Sequence, residues 1–335
     1  MKSGVLLVNT GSPDSASPDS VKNYLREFLM DERVIDIPRW KRQLLVYGII
    51  APFRSKKSAS LYQHIWTTAG SPLIVFTREL AKKVSQKTGI PVYTAMRYGK
   101  PGILQTLEQM QADKIKKIIL IPMFPHYAMS TYESVVEKVK MEYSGFAFSS
   151  LKVVDPYYKN PQYINSLYEN AQPYLKQKFD HIVLSYHSLP ERHIRKMDKS
   201  GVHCLVENNC CETEHPARNM CYKAQTMETT RLFISKAGIA PEICSHTYQS
   251  AMNLKTWLKP DTESVLHALA SNGKNNILVI CPGFVTDNLE TLEEIGIRAK
   301  ASALQTGVRE FTLIPSLNAH ESWVNTLSGW IINAQ

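Results

Sequence analysis

The chain has 335 residues, of which 44% are hydrophobic and 21% are charged, and its formal net charge is +9. This composition is ordinary for a globular protein and excludes a disordered tail, a collagen and a coiled-coil rod. The length predicts about two domains, and the positive charge is compatible with a nucleic acid, an anionic membrane surface or an acidic ligand.

The apolar runs do not support a membrane-spanning or secreted protein. A spanning helix needs about 20 apolar residues, and the longest apolar run, Leu44–Phe53, is shorter than that. The apolar run near the N-terminus is also shorter than the core of a secretory signal, which needs about 7–15 residues. We therefore expect a cytoplasmic protein.

Eight short, β-rich apolar runs alternate with amphipathic segments along the chain. This alternation predicts an α/β fold with parallel sheets and right-handed crossovers. The runs divide four and four, so two doubly wound halves are expected, at residues 1–165 and 166–335. The runs are Val5–Asn9, Pro91–Tyr98, Lys117–Met123, Leu151–Asp155, His181–His187, Glu242–Tyr248, Asn276–Cys281 and Glu310–Ile314.

The first unusual segment, Arg39–Lys57, mixes basic residues with the apolar run Leu44–Phe53. One interpretation is a core helix with a basic, solvated end. The other is a patch that makes peripheral contact with the inner, anionic face of a membrane.

Ligands of open α/β sheets bind beyond the carboxyl ends of the strands. Those ends are rich in His, Tyr, Pro and Met here, and they lack the glycines of a phosphate-binding loop. Dinucleotide, P-loop and nucleophile-elbow motifs are missing from the sequence. The pattern argues against a nucleotide-dependent enzyme and a serine hydrolase, and it favours a large aromatic ligand.

His187 ends the apolar run His181–His187 and precedes Ser-Leu-Pro. This position predicts an imidazole at a strand tip, where it can face a ligand crevice. The alternative is a histidine whose ring is satisfied by the turn itself.

Four of the six cysteines lie within one short segment: Cys204, Cys210, Cys211 and Cys221. Four thiolates at this density suit an iron–sulfur cluster or zinc. Zinc ribbons favour paired C-x2-C knuckles, which this segment lacks, while His203 and His215 leave mixed ligation open. Reduced thiols and disulfides are the remaining alternatives, although a reducing cytoplasm disfavours disulfides. Cys244 and Cys281 lie in apolar runs and are predicted to be buried strand residues.

The segment Asp287–Arg298 follows a predicted strand and is predicted to be helical. Asp287, Glu290 and Glu294 are spaced to share one face of that helix. A solvated acidic face near a helix N-terminus is one interpretation. The other is a row of carboxylates that guides a divalent cation or protons.

Seven sequence blocks follow one another along nearly the whole chain. They are GVLLVNTGSPDS near the start, LYQHIWTTAGSPL at Leu61–Leu73, AMRYGKP at Ala95–Pro101, IPMFPHYAMST at Ile121–Thr131, LSYHSLPERH at Leu184–His193, TYQSAMNLKTWLKPDT at Thr247–Thr262 and PGFVTDNLETLEEI at Pro282–Ile295. In content and order they resemble the ferrochelatases, the enzymes that insert Fe(II) into a porphyrin.

This resemblance implies a class II chelatase-like fold of two Rossmann-like domains with a porphyrin cleft between them. It implies that Fe(II) and protoporphyrin IX are the substrates, that protohaem is the product and that no nucleotide is used. His187 matches the active-site histidine of the family and Glu290 its facing glutamate, while Asp287 and Glu294 match neighbouring acidic positions. His187 can serve as a base, as an iron ligand or as both.

The porphyrin must also be gripped and bent, which calls for flat, soft or hydrogen-bonding side chains. Each candidate has a core role as its alternative. The candidates for substrate binding within the matching blocks are Thr10, Arg97, Tyr98, Met123, Tyr127, Ser130 and Trp257.

Some ferrochelatases carry a [2Fe–2S] cluster in an internal segment at about this place. The resemblance therefore favours a [2Fe–2S] cluster on the cysteines at 204, 210, 211 and 221. Iron insertion changes no oxidation state, so such a cluster would be structural or regulatory.

Three other functions remain open at this point. A coproporphyrin III ferrochelatase would share these residues, and a haem carrier would bind ligand without inserting metal. A cobalt or nickel chelatase tends to present two histidines, whereas the facing position here is Glu290. A nucleic-acid partner is not expected, because the chain has no basic-aromatic recognition module, and the oligomeric state is not predicted.

Overall fold

The computed structural model describes residues 2–253 and 255–334, and its chain forms two compact units. The first unit holds the chain up to Phe124, the segment Met129–Asp155 and the segment from Trp323 onward. The second holds Pro125–Ala128 and Pro156–Ser322. Each unit contains a four-stranded sheet with flanking helices, which confirms the predicted α/β class.

Every predicted apolar run forms a strand, and the strands pair in parallel. They are β1 Ser3–Ser12, β2 Val92–Gly99, β3 Lys117–Pro122, β4 Ser150–Val153, β5 His181–His187, β6 Cys244–Gln249, β7 Asn276–Ile280 and β8 Glu310–Ile314. The first sheet has the order β2-β1-β3-β4 and the second β6-β5-β7-β8. Val5–Val8 of β1 and Ile182–Leu184 of β5 are fully buried, as expected for central strands that are covered on both faces.

Helices connect the strands, as parallel pairing requires. The α-helices are α1 Pro18–Leu29, α2 Arg39–Gln43, α3 Ala51–Ile65, α4 Pro72–Thr88, α5 Ile103–Ala112, α6 Ser134–Tyr143, α7 Pro161–Leu175, α8 Glu191–Met197, α9 Tyr222–Ala237, α10 Thr262–Ser271, α11 Lys300–Gln305 and α12 Glu321–Asn333. Wider π-helical segments cover Leu44–Ile50, Met129–Glu133 and Glu290–Ala299, and 3-10 turns cover Pro216–Met220 and Pro241–Ile243. Among the described helices, none has both the length and the apolar character needed to cross a membrane.

The second unit begins at Pro156, ten residues before the predicted start of the second half at residue 166. The reason is the packing of α7, which contacts α9 of the second unit. Tyr163 on α7 is fully buried, and its hydroxyl donates a hydrogen bond of 2.6 Å to the carbonyl of Pro282. Burial therefore assigns α7 to the second unit.

The tips of β1 and β2 approach each other closely at Gly11. This residue has φ of +113°, and a Cβ atom built on it would lie 1.8 Å from the carbonyl oxygen of Tyr98. Glycine tolerates both the backbone angle and the short approach. The glycine therefore lets the two strand ends, which carry Thr10 and Arg97, lie side by side.

A buried carboxylate ties the loop after α1 to β2 and α6 in the first unit. Asp31 accepts hydrogen bonds from Arg97, from Ser134 and, at 2.9 Å, from the hydroxyl of Tyr98. Burial alone would raise the pKa of Asp31, but the hydrogen bonds from Ser134 and the Arg33 N–H, together with the Arg97 guanidinium, lower it below its usual value. The carboxylate is therefore stabilised in its charged form.

Replacing this carboxylate should destabilise the first unit in a pH-dependent way. Because the pKa of Asp31 is lower in the folded state, its stabilising effect is present above the unfolded value of about 4 and is lost as the pH falls through the folded value. Asp31→Asn should reduce the free energy of unfolding by about 3 kcal/mol at pH 7, and the difference from wild type should shrink below pH 4.

Urea unfolding followed by circular dichroism at pH 7, 5 and 3.5 measures this effect. Asp19→Asn, the same change on the exposed first turn of α1, is the control and should stay within about 0.5 kcal/mol of wild type. An Asp31→Asn penalty that does not depend on pH would contradict the proposed role of the charge.

Candidate active site

His187 is the last residue of β5, and the fold fixes which of its ring nitrogens carries a proton. The Nδ1 atom lies 2.6 Å from the carbonyl oxygen of Ser188. A carbonyl only accepts hydrogen bonds, so Nδ1 must donate. In the neutral ring, Nε2 then has a free lone pair that can accept a proton or bind a metal. The ring is half-buried and lies edge-on to Phe284, with centroids 6.4 Å apart.

The backbone around His187 is held by neighbouring elements. The hydroxyl of Tyr222 donates to the His187 carbonyl at 3.0 Å, and the Ser188 N–H donates to the Gln249 carbonyl at 2.7 Å. The Ser188 hydroxyl donates to the carbonyl of Leu258 at 3.1 Å. The strand tip is therefore anchored on three sides.

Glu290 begins the π-helical segment that follows β7. Burial raises the pKa of its carboxyl, the nearby His187 opposes this change, and Glu294 adds to it, so that the net shift is upward. The Nε2 of Gln249 donates to the Glu290 carbonyl at 3.0 Å, and Ser185 donates to the Oε1 of the same glutamine. The carboxyl of Glu290 therefore keeps its proton to a higher pH than an exposed glutamate, because its pKa is raised.

Glu294 lies one turn further along the same segment and binds the loop after β6. Its Oε1 accepts the N–H of Ser250 at 2.8 Å, and its Oε2 accepts the Ser250 hydroxyl. Ser250 adopts a left-handed backbone with φ of +63°. The carboxylate of Glu294 is therefore engaged with Ser250.

The prediction that Asp287 shares one helical face with Glu290 and Glu294 is wrong, because Asp287 lies before the helical segment begins. Its Oδ1 accepts hydrogen bonds from the Thr291 hydroxyl at 3.0 Å and the Ser316 N–H at 3.1 Å. Its Oδ2 accepts the side-chain amide of Asn318 at 2.7 Å. These bonds use both oxygens, so the carboxylate holds the loop after β8.

The predicted substrate-binding residues fall into two groups. Thr10, Arg97, Ser130 and Trp257 are half-buried and retain some exposed surface. Tyr98, Met123 and Tyr127 are buried, with Tyr98 only 1% exposed.

Tyr98 and Met123, which were predicted to contact the ligand, are packed within the first unit. The hydroxyl of Tyr98 is bound to Asp31, and the Met123 side chain lies in the core. Tyr127 donates its N–H to the Oε1 of Gln225 at 2.7 Å, so its backbone is fixed by α9. Trp257 lies in a short antiparallel pairing with Pro190, just after His187.

The cysteine segment brings its thiols together. Cys204, Cys210, Cys211 and Cys221 are all buried and unbridged. The thiols of Cys211 and Cys204 are hydrogen-bonded to the sulfur of Cys221, and Cys210 lies near both Cys204 and Cys211. A hydrogen bond from Cys211 and the N–H groups of Ala224 and Lys223 lower the pKa of Cys221, although burial opposes them.

The structure also bears on metal binding and on the two other cysteines. Within residues 2–253 and 255–334, no three His, Cys, Asp or Glu side chains form a ready-made metal site. Cys281 is buried, as predicted, whereas Cys244 is half-buried, and both are free thiols.

Sequence reasoning missed several residues that shape this site. Gln249 contacts the backbone at both His187–Ser188 and Glu290, and Tyr222 contacts the carbonyl of His187. Gln249 directly follows the predicted strand Glu242–Tyr248, so its position at a strand tip was a usable signal. Tyr222 begins a helix, and no local pattern indicates its contact with β5.

Comparison with known proteins identifies the family. The family model described as Ferrochelatase matches residues 2–335. A ferrochelatase of Opitutus terrae is 45% identical over 329 residues, which cover 97% of this chain and 95% of that protein. A ferrochelatase of Pseudomonas entomophila is 41% identical over 333 residues, 98% of each chain.

Solved structures agree with the fold. The sirohydrochlorin chelatase SirB from Bacillus subtilis subspecies spizizenii, solved with cobalt, aligns with a TM-score of 0.55 at 10% identity. The alignment covers 100% of this chain and 98% of that chain. At this identity the likeness supports the chelatase fold alone. The sequence matches, which span almost the whole length, establish more: the chain belongs to the ferrochelatase family.

Proposed function

We propose that His187 and Glu290 together remove the pyrrole protons while this ferrochelatase inserts Fe(II). The observation that carries the proposal is the fixed tautomer of His187, whose Nε2 is left free beside a glutamate with a raised pKa. Two N–H bonds of the porphyrin must break as four iron–nitrogen bonds form. Nε2 accepts one proton and the carboxylate of Glu290 accepts the other, and no oxidation state changes.

Metal delivery draws on the same two groups. Imidazole nitrogen and carboxylate oxygen both bind Fe(II), the substrate metal. Glu294 extends the carboxylate path by one turn, and Asp287 acts as a positioning residue because its oxygens hold the loop at Ser316. We also propose porphyrin contacts, which substitution can test one at a time, for Thr10, Arg97, Tyr127, Ser130 and Trp257.

Protoporphyrin IX is the porphyrin that we propose. The Asn-Thr-Gly-Ser-Pro block of β1 and the cysteine segment resemble those of protohaem-forming members more closely. Anaerobic Fe(II) insertion into protoporphyrin IX and coproporphyrin III, compared as kcat/KM, tests the choice. A higher value with coproporphyrin III would overturn it.

Removing either proton acceptor should abolish most of the insertion activity. His187→Ala should lower kcat at least 100-fold and Glu290→Gln about 10- to 100-fold, because each loses a positioned proton acceptor. The measurement is anaerobic Fe(II) insertion at pH 7.5, with circular dichroism to verify folding.

Two matched controls accompany these variants. His267→Ala and Glu263→Gln make the same changes on the surface of α10 and should keep wild-type rates. Full activity in the His187→Ala variant would defeat the mechanism. Retained haem binding without any insertion by the wild type would instead indicate a carrier.

We further propose that Cys204, Cys210, Cys211 and Cys221 hold a [2Fe–2S] cluster. The four thiols are buried within one short segment, and those of Cys204 and Cys211 lie beside the sulfur of Cys221, which suits thiolate ligation. When bound, the cluster would link the segment through four metal–thiolate bonds. Since insertion needs no electron transfer, its role is structural or regulatory.

The cluster proposal predicts a coloured protein. Anaerobically purified protein should be reddish-brown before porphyrin is added, with about two irons and two acid-labile sulfides per chain. Cys204→Ser should lose most of the sulfide, whereas Cys244→Ser, outside the segment, should retain it. A colourless preparation with stoichiometric zinc would contradict the cluster.

A third proposal concerns the surface of α2, α3 and the π-helical segment between them. Trp40, Leu44, Ile49 and Phe53 are exposed there, Phe53 by 78%. Exposed basic residues accompany them, namely Arg39, Lys41, Arg54, Lys56 and Lys57. Arg42 is not among these, because it is buried and donates to the carbonyls of Ile35 and Ile37.

Apolar side chains beside cations suit the interface of an anionic bilayer. We propose peripheral attachment of a cytoplasmic enzyme to the inner face of a membrane, which would let an apolar porphyrin enter and haem leave. The charge on this surface favours an anionic lipid over a neutral one.

Vesicle binding should therefore depend on lipid charge and on the exposed ring of Phe53. Phe53→Glu should weaken cosedimentation with phosphatidylserine-containing vesicles about tenfold, and 0.5 M salt should weaken wild-type binding. Met141→Glu, at an exposed methionine outside this surface, is the control. Equal binding to neutral and anionic vesicles, or to wild type and Phe53→Glu, would remove the idea.

A further inference from the structure

The first turn of α9 contacts three separate parts of the second unit. Cys221, one of the four clustered cysteines, directly precedes the helix. The hydroxyl of Tyr222 donates to the carbonyl of His187 at 3.0 Å. Gln225 accepts the N–H of Tyr127 and donates to the carbonyl of Asn219 at 2.8 Å. The first turn of α9 thus lies next to Cys221, to the end of β5 at His187 and to the loop at Tyr127.

The contact from Tyr222 acts on the peptide group that determines the position of the His187 ring. The His187 carbonyl and the Ser188 N–H belong to the same planar peptide group. Tyr222 holds its oxygen, and the carbonyl of Gln249 holds its N–H. The next carbonyl, that of Ser188, accepts the ring proton at Nδ1. A rotation of this peptide group would therefore carry the imidazole with it.

The connection from the cysteines to Tyr222 is short and tightly packed. Cys221 and Tyr222 are consecutive, and the N–H groups of Lys223 and Ala224 lie against the sulfur of Cys221. Tyr222 is buried and packs edge-on to His126, with ring centroids 5.9 Å apart. Packed interiors transmit displacement because they contain few voids. A shift of the sulfur would therefore be passed on to the ring of Tyr222.

We propose that Tyr222 is a positioning residue that couples the state of the four clustered cysteines to the orientation of the His187 imidazole. The coupling rests on the proposed roles of His187 and of the cysteines. It requires no electron or proton transfer, only a displacement of the first turn of α9. The cysteine segment thereby gains a route to regulate metal insertion although it provides no reacting atom.

Removing the Tyr222 hydroxyl tests the positioning role. Tyr222→Phe should lower kcat for Fe(II) insertion about tenfold, the usual scale for loss of a supporting contact, and leave the KM for porphyrin within about twofold. The iron and sulfide content should stay at the wild-type level. The ring resonances of His187 in long-range ¹H–¹⁵N spectra should shift.

Tyr132→Phe is the matched control for this change. Tyr132 is buried in the first unit, and its hydroxyl donates to the carbonyl of Val154 at 3.0 Å. It should leave kcat and the His187 resonances at their wild-type values. Equal effects of the two substitutions would overturn the proposal, because both remove one buried tyrosine hydroxyl.

A double-mutant comparison tests the coupling itself. Cys204→Ser should shift the His187 resonances in the wild-type background and leave them unchanged in the Tyr222→Phe background, with Cys244→Ser silent in both. If Cys204→Ser does not fold, removal of bound metal by a chelator replaces it. An equal shift in both backgrounds would refute the coupling. These spectra need no turnover, so they remain informative if His187→Ala proves fully active.

Discussion

The hydrogen bond from Nδ1 of His187 to the carbonyl of Ser188 governs what this site can do. Without this hydrogen bond, either ring nitrogen of His187 could carry the proton, and the lone pair could lie on Nδ1 or on Nε2. With it, Nε2 is the acceptor in every neutral molecule. The carbonyl is itself useful only because the preceding peptide group is fixed by Tyr222 and Gln249. The proton abstraction that we propose for His187 therefore depends on contacts from two further elements.

Gln249 connects the backbone at His187 to Glu290, the second proton acceptor that we propose. Its backbone carbonyl holds the peptide after His187, while its side-chain amide holds the carbonyl of Glu290. The residue is almost completely buried, and Ser185 orients its Oε1. Because one residue is bonded both to the peptide after His187 and to the backbone of Glu290, these two residues keep a defined relation. Buried polar groups that are fully bonded in this way specify one arrangement of a core.

Much of the architecture follows from local sequence. The strands were predictable because continuous apolar runs bounded by turn residues have few other interpretations. His187 was predictable because a polar residue at the end of such a run lies at the edge where ligands bind. The resemblance to ferrochelatases added the pairing with Glu290, which no local pattern contains.

The features that local sequence did not indicate share one physical cause, which is contact with partners distant in sequence. Asp287 binds Asn318, and Tyr98 binds Asp31, so residues that seemed available for ligands are engaged elsewhere. The boundary at Pro156 depends on packing of α7 against α9. The π-helical turns also escaped prediction, because hydrophobic spacing does not distinguish them from α-helical turns over so few residues.

In the π-helical segment Glu290–Ala299, the number of residues determines which way the side chains of the candidate active site point. Each residue in an ordinary helix advances the direction of the side chains by about 100°. Loss of a single residue here would restore ordinary helical spacing and turn everything beyond it, including Glu294, away from Ser250. Gly296 packs near Leu313 of β8, so the following helix would also lose its place on the sheet. The position of Glu294 therefore depends on the number of residues in this segment as well as on their identity.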